Sequence, residues 1–96
     1  MPKGYWIVHV TVTDPDRYAR YLAEDAKAFA KFSAKPLVRG GRHEAPEGDA
    51  HSRHVILEFD SYDTALECYR SPEYQRAVKH RLAASESEIV IVEGVE

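Results

Sequence analysis

One cysteine, Cys68, stands in a chain of 96 residues, so no disulfide can close within it. A lone thiol fits a reducing compartment, and the expected location is cytoplasmic. Long apolar runs are missing as well. None approaches the ~20 residues that span a bilayer, so no membrane partner is expected. Met1–Lys3 lead straight into a strand-like segment, unlike the charged and apolar regions of a signal peptide. There is no excess of positive charge either: the formal net charge is −3 with both signs interspersed. That balance excludes the clustered basic surface by which nucleic acid is held. No glycine-rich phosphate loop follows a strand into a helix, and no nucleophile motif occurs, which sets aside nucleotide-dependent chemistry and serine hydrolysis. Internal repeats and low-complexity tracts are also wanting.

What is present has the balance of an ordinary globule, and residues 1–96 are read as one domain. A chain of this size removes from water little more than ~60% of the surface its unfolded form exposes. Its core is thin, and a second subunit would help.

Tyr5–Val12 is dense in aromatic and β-branched residues and reads as a strand. Alternation puts Trp6, Val8, Val10 and Val12 on one apolar face. Tyr5, Ile7, His9 and Thr11 fall on the other, which mixes polar and apolar groups. Asp14-Pro15 then opens a helix, since Asp accepts from free backbone N–H groups and Pro suits the first helical position. Tyr18, Leu22, Asp25, Phe29 and Phe32, flanked by Tyr21 and Ala26, form one helical stripe running to Phe32 or Ser33. Asp25 is the odd member, a carboxylate within an apolar stripe.

Leu37–Glu44 reads as a weaker strand with a bulge or a close backbone approach at Gly40-Gly41. Which of its faces is buried stays open. Ala45–Ser52 has the composition of a connecting loop. His54–Phe59 alternates cleanly: Val55, Leu57 and Phe59 make an apolar face, and His54, Ile56 and Glu58 a mixed one. Ser61 is the expected cap of a helix whose buried stripe is Tyr62, Ala65, Leu66 and Tyr69. Ser71-Pro72 breaks that helix and starts another, with Tyr74, Ala77, Val78, Arg81 and Leu82 on one face. Glu88–Glu93 is apolar on both sides, as expected of a strand covered twice.

The order is β-α-β-β-α-β with the second helix broken in two. That pattern predicts an α+β, ferredoxin-like sandwich, one antiparallel sheet with helices on one face. The other face carries Tyr5, Ile7, Ile56 and apolar residues of the last strand. A contiguous apolar patch on a sheet marks an interface, so a homodimer with two sheets packed face to face is expected. The plainer reading is that Thr11, His9, Glu58 and His54 keep that face solvated.

Six elements in order carry a resemblance: Gly4-Tyr5-Trp6, Arg39-Gly40-Gly41, Glu58-Phe59, Tyr69-x-Ser71-Pro72-Glu73-Tyr74, Arg81 and Val92-Glu93-Gly94. Together they resemble the domain of unknown function 1330 family, within the dimeric α/β-barrel superfamily, over nearly the whole chain. The resemblance implies a ferredoxin-like fold and a homodimer, and it implies no reaction. The superfamily hosts monooxygenases, isomerases, haem enzymes and binding proteins, so fold alone does not assign chemistry.

The candidate ligand-binding residues are His9, His54, Glu58, Tyr5, Arg39, Asp25 and Arg81. On the mixed face, the imidazoles of His9 and His54 and the Glu58 carboxylate could do acid–base work, or they could be interface groups. Asp25 and Arg81 could form the polar end of a pocket under the helices, or an ion pair, or Arg81 could bury its stem and reach water with its head. His43, His51 and His54 with Glu44 or Glu58 have metal-ligand types, but they lie in or beside a loop and lack a helix-borne i, i+4 pair. No metal or other cofactor is expected. Five tyrosines at helical spacing read as core, and Cys68 has no neighbour that would make it reactive. Two functions stand: a homodimer that binds a small molecule without turnover, or a cofactor-independent isomerase or monooxygenase using the His and Glu groups of the sheet face.

Overall fold

The structure, a computed structural model, describes residues 2–96; Met1, at the head of the lead-in to the first strand, lies outside them. Seven elements follow one another: β1 (Gly4–Val12), α1 (Pro15–Lys31), β2 (Lys35–Arg39), β3 (Arg53–Phe59), α2 (Tyr62–Arg70), α3 (Pro72–Ala84) and β4 (Ser85–Glu93). The four strands form one antiparallel sheet in the order β2-β3-β1-β4, the ferredoxin-like arrangement.

The core lies between the helices and one face of the sheet. Trp6 is its centre. Phe29, Phe59, Tyr69 and Tyr74 surround the indole with ring centroids 4.8–5.9 Å away, three of them edge-on. Its Nε1 donates to the Ala65 carbonyl at 2.9 Å, which leaves no polar atom of the ring stranded. Gly4 sits where β1 passes the turn into α2: a Cβ there would lie 2.6 Å from the Ser61 carbonyl carbon.

Local chemistry explains the helix ends. Asp14 accepts from the Arg17 amide at 3.2 Å, and Ser61 from the Thr64 amide at 3.0 Å. Ser71 serves two helices: its hydroxyl donates to the Cys68 carbonyl at 2.7 Å and accepts from the Tyr74 amide at 3.2 Å. Pro72 at the first position of α3 cannot continue α2, so the covering layer bends there.

Four expectations shift. β2 spans Lys35–Arg39, not Leu37–Glu44, and its bulge falls between Pro36 and Val38. Gly40 adopts φ +70 and turns the chain out of the sheet, so the pair that resembled a bulge ends the strand. β4 begins at Ser85, with no loop after α3. Pairing of Ser85 with Val12 and of Glu86 with Thr11 overrides the poor strand propensity of that polar stretch. Leu22 is 42% exposed, and Ala26 is exposed beside it, because the sheet stands away from that part of α1. In α3 the buried face ends on Ala84 while Leu82 points to solvent.

Candidate functional site

Where α1 stands off from β2 and β3 there is a cavity of about 580 Å³. Small residues make the gap: Ala26, Ala30 and Ala34 face it, while Trp6, Val8, Phe29, Val55 and Leu57 form apolar walls. Three charged side chains enter that lining, Asp25 from α1, Arg39 from the end of β2 and Arg53 from the start of β3. Volume and composition are those of a small-molecule site, apolar with few polar groups that fix orientation.

Asp25 is a buried carboxyl whose titration is strongly displaced. It is 6% exposed. Burial pushes its carboxyl up to about 7, although the Tyr21 hydroxyl and the positive charge of Arg53 pull the other way. Among the described residues it makes no ion pair. Burial raises the Tyr18 hydroxyl, and the positive charge of Arg53 draws it back. The Arg53 Nε is buried and meets no acceptor. The Arg53 guanidinium also lies where a Gly40 side chain would stand, so a larger residue there would push that head aside as well as strain the backbone at φ +70.

Arg81 belongs elsewhere. It is buried under α3, its Nη1 donates to Ser87 Oγ at 2.6 Å, and its guanidinium carbon stands 6.0 Å from the Tyr21 ring centre. It neither pairs with Asp25 nor lines the cavity, and its head does not reach water. Between them, Tyr21 and Tyr74 share a hydroxyl–hydroxyl bond of 2.8 Å. Burial pushes Tyr74 up to about 12, and Cys68 likewise to about 12, so both stay protonated at neutral pH.

The opposite, helix-free face is built in rows, since residues directly across a ladder share a face. One row is Val38, Ile56, Ile7 and Val90, an unbroken band of β-branched residues across all four strands. The row on one side is Lys35, Glu58, Tyr5 and Val92, where the Tyr5 hydroxyl donates to Glu58 at 3.1 Å. The row on the other side is His54, His9 and Glu88. His9 and His54 join through their Nδ1 atoms at 2.7 Å, and His43 stacks edge-on against His54 at 4.6 Å. Desolvation lowers the His54 pKa, and the other imidazoles lower it further.

The suspected set of His9, His54 and Glu58 is thus divided: the Ile7–Ile56 pair stands between the two histidines and the glutamate. His51 bonds Glu88 at 2.6 Å and Thr11 at 2.7 Å, turning away from Glu58. Among the described residues no group of three His, Cys, Asp or Glu side chains is arranged to hold a metal ion.

Of the candidate residues, Asp25 and Arg39 meet in the cavity, while Tyr5, His9, His54 and Glu58 share the open face. Arg53 and Glu88 were missed. Arg53 carried a signal: it is in phase with Val55, Leu57 and Phe59, a charge on the apolar face of its strand. Glu88 carried one as well, being in phase with Val90 and Val92.

No curated protein matches the chain. Solved structures do. A protein of unknown function from Rhodopseudomonas palustris is 25% identical, with a TM-score of 0.80 over 99% of this chain and 84% of its own. A protein of unknown function from Thermobifida fusca, described as dimeric and ferredoxin-like, is 13% identical, with a TM-score of 0.64 over 96% of this chain and 91% of its own. SnoaB from Streptomyces nogalater, a cofactor-independent oxygenase, is 15% identical, with a TM-score of 0.63 over 100% of this chain and 96% of its own. The latter two likenesses concern fold. A family model matches residues 3–95, and the chain belongs to that family, the domain of unknown function DUF1330.

Proposed function

We propose that the chain works as a homodimer with its sheets packed face to face, each protomer holding one small molecule in the cavity under α1. The ligand has an apolar body and an anionic end. The observation that carries this is the lining itself: apolar walls, with Arg39 and Arg53 set against a single carboxyl that is only partly ionised at neutral pH. Two guanidinium groups outweigh that carboxyl, and a guanidinium fork matches a carboxylate in shape.

What supports the dimer is the row Val38–Ile56–Ile7–Val90, in which Val90 is 55% exposed with no helix among the described residues to cover it. A two-fold axis through that row lays the band of one protomer on the same band of its partner. A thin core gains from such burial. The Thermobifida fusca protein, described as dimeric, supports a dimer of this chain. A lone, buried cysteine suits a cytoplasmic setting, and no helix among the described residues is long and apolar enough to cross a membrane.

An enzyme working through His9, His54 and Glu58 fits less well, because these groups are bonded pairwise on the face that the dimer would close. The test uses Trp6, the chain's one tryptophan, which lines the cavity. Titration with octanoate should change its emission and saturate. Arg53→Met should weaken that binding about tenfold or more, the loss of one charge-assisted contact. Flat emission through millimolar octanoate would remove the reading.

A further inference from the structure

We propose that Asp25 is a catalytic base that moves a proton on a bound 2-oxo acid, with Arg53 facing the oxygen on which negative charge develops. This rests on the cavity being a small-molecule site and adds a reaction to it. The geometry comes first. Asp25 on α1 and Arg53 on β3 enter one cavity from opposite walls and form no ion pair with each other. Space is therefore left between an acceptor of protons and a fixed cation. Arg53 brings a buried Nε that meets no acceptor, an unusual state for a buried donor and one that a ligand oxygen would relieve. Arg39, at the exposed rim, is placed to hold the carboxylate of the ligand while the chain of the acid lies along Val8, Phe29 and Leu57.

The chemistry follows from those placements. The C3–H bond of a 2-oxo acid is acidified by the adjacent carbonyl. The Asp25 carboxylate takes that proton, the C–H electron pair becomes the C3–C2 double bond, and the carbonyl pair moves onto oxygen beside Arg53. Return of the proton to C3 regenerates the ketone; return at a more distant carbon of an unsaturated acid shifts its double bond. Nothing is oxidised or reduced, and no second reactant is consumed. The apolar walls keep water from solvating the carboxylate, which strengthens it as a base, and its raised pKa of about 7 suits proton transfer near neutrality. A preformed cation at the developing oxyanion needs no rearrangement during the step. The Tyr21 hydroxyl, tied to Tyr74 at 2.8 Å, lies near enough to the carboxyl to offset part of the rise that burial imposes.

The experiment follows deuterium entering C3 of 2-oxooctanoate in D2O by proton NMR, with octanoate binding to the same samples read from Trp6 emission. The wild type should accelerate exchange, with a rate that rises as the solution passes through about pH 7. Asp25→Asn should bind octanoate at least as well and lose exchange on the order of a hundredfold. Asp25→Glu, which keeps a carboxylate on a longer arm, should recover part of the rate. Binding without acceleration would overturn the proposal, and so would exchange by Asp25→Asn at the wild-type rate; either would leave the binding site standing. Failure of both acids to change Trp6 emission would remove the site and the reaction together.

Discussion

Replacing Asp25 with Asn should make the protein more stable, and by an amount that grows with pH. The folded state holds the Asp25 proton until about pH 7, whereas the unfolded chain releases it near 3.8. A folded-state pKa raised above the unfolded value means that the protonated carboxyl stabilises the fold fully below the lower value. That contribution is lost as pH climbs through the upper one. The interval of about three units corresponds to a swing of about 4 kcal/mol, at 1.36 kcal/mol for each unit. Asn keeps the shape and carries no charge, so it removes the swing. Any fixed difference in hydrogen bonding or packing enters as an offset independent of pH. Urea unfolding of both proteins at one chain concentration, followed by Trp6 emission from about pH 4 to about pH 8, reads the difference directly. Distant titrating groups cancel in the comparison. The midpoint of the variant should gain ~1–4 M urea on the wild type across that range, for the slopes usual in small proteins. A difference that stays level with pH would refute the claim that Asp25 is buried with its charge uncompensated.

Other changes have separate signatures. Ile7→Asp puts a charge in the middle of the Val38–Ile56–Ile7–Val90 row and should give a monomer by light scattering at micromolar concentration, with its helix content intact. Ser71→Ala removes one bond at the end of α2 and one at the start of α3, and should cost about 2 kcal/mol in chemical unfolding. Arg81→Ala strands Ser87 and empties a buried volume beside Tyr21, costing about 2 kcal/mol or more. It should leave both assembly and octanoate binding as they were, because Arg81 touches neither the open face nor the cavity.

The parts of this fold that could be read from the sequence are those fixed by near neighbours. Alternation in Tyr5–Val12 separates the Trp6 face from the Ile7 face, and that division holds residue by residue. Asp14-Pro15, Ser61 and Ser71-Pro72 announce their helices because a cap is made within three residues. The end of β2 depended instead on the φ of Gly40, and the start of β4 on pairing with β1. Neither is written in its own segment.

The cavity was visible only through Asp25. Its space comes from Ala26 and Ala30 of α1, and Ala34 just beyond it, lying opposite β2 and β3, a relation between segments distant in sequence. Arg53 escaped notice because the third strand was read from His54, one residue late for the alternation to expose a charge on the apolar face. His9 and His54, conspicuous as residue types, turned out to lie on the side of the sheet away from that cavity.

Native mass spectrometry in the presence of octanoate tests assembly and site in a single spectrum. The predicted species has twice the 10.9 kDa chain mass and carries one octanoate per chain. A monomer, or a dimer that takes up no octanoate, would contradict the account.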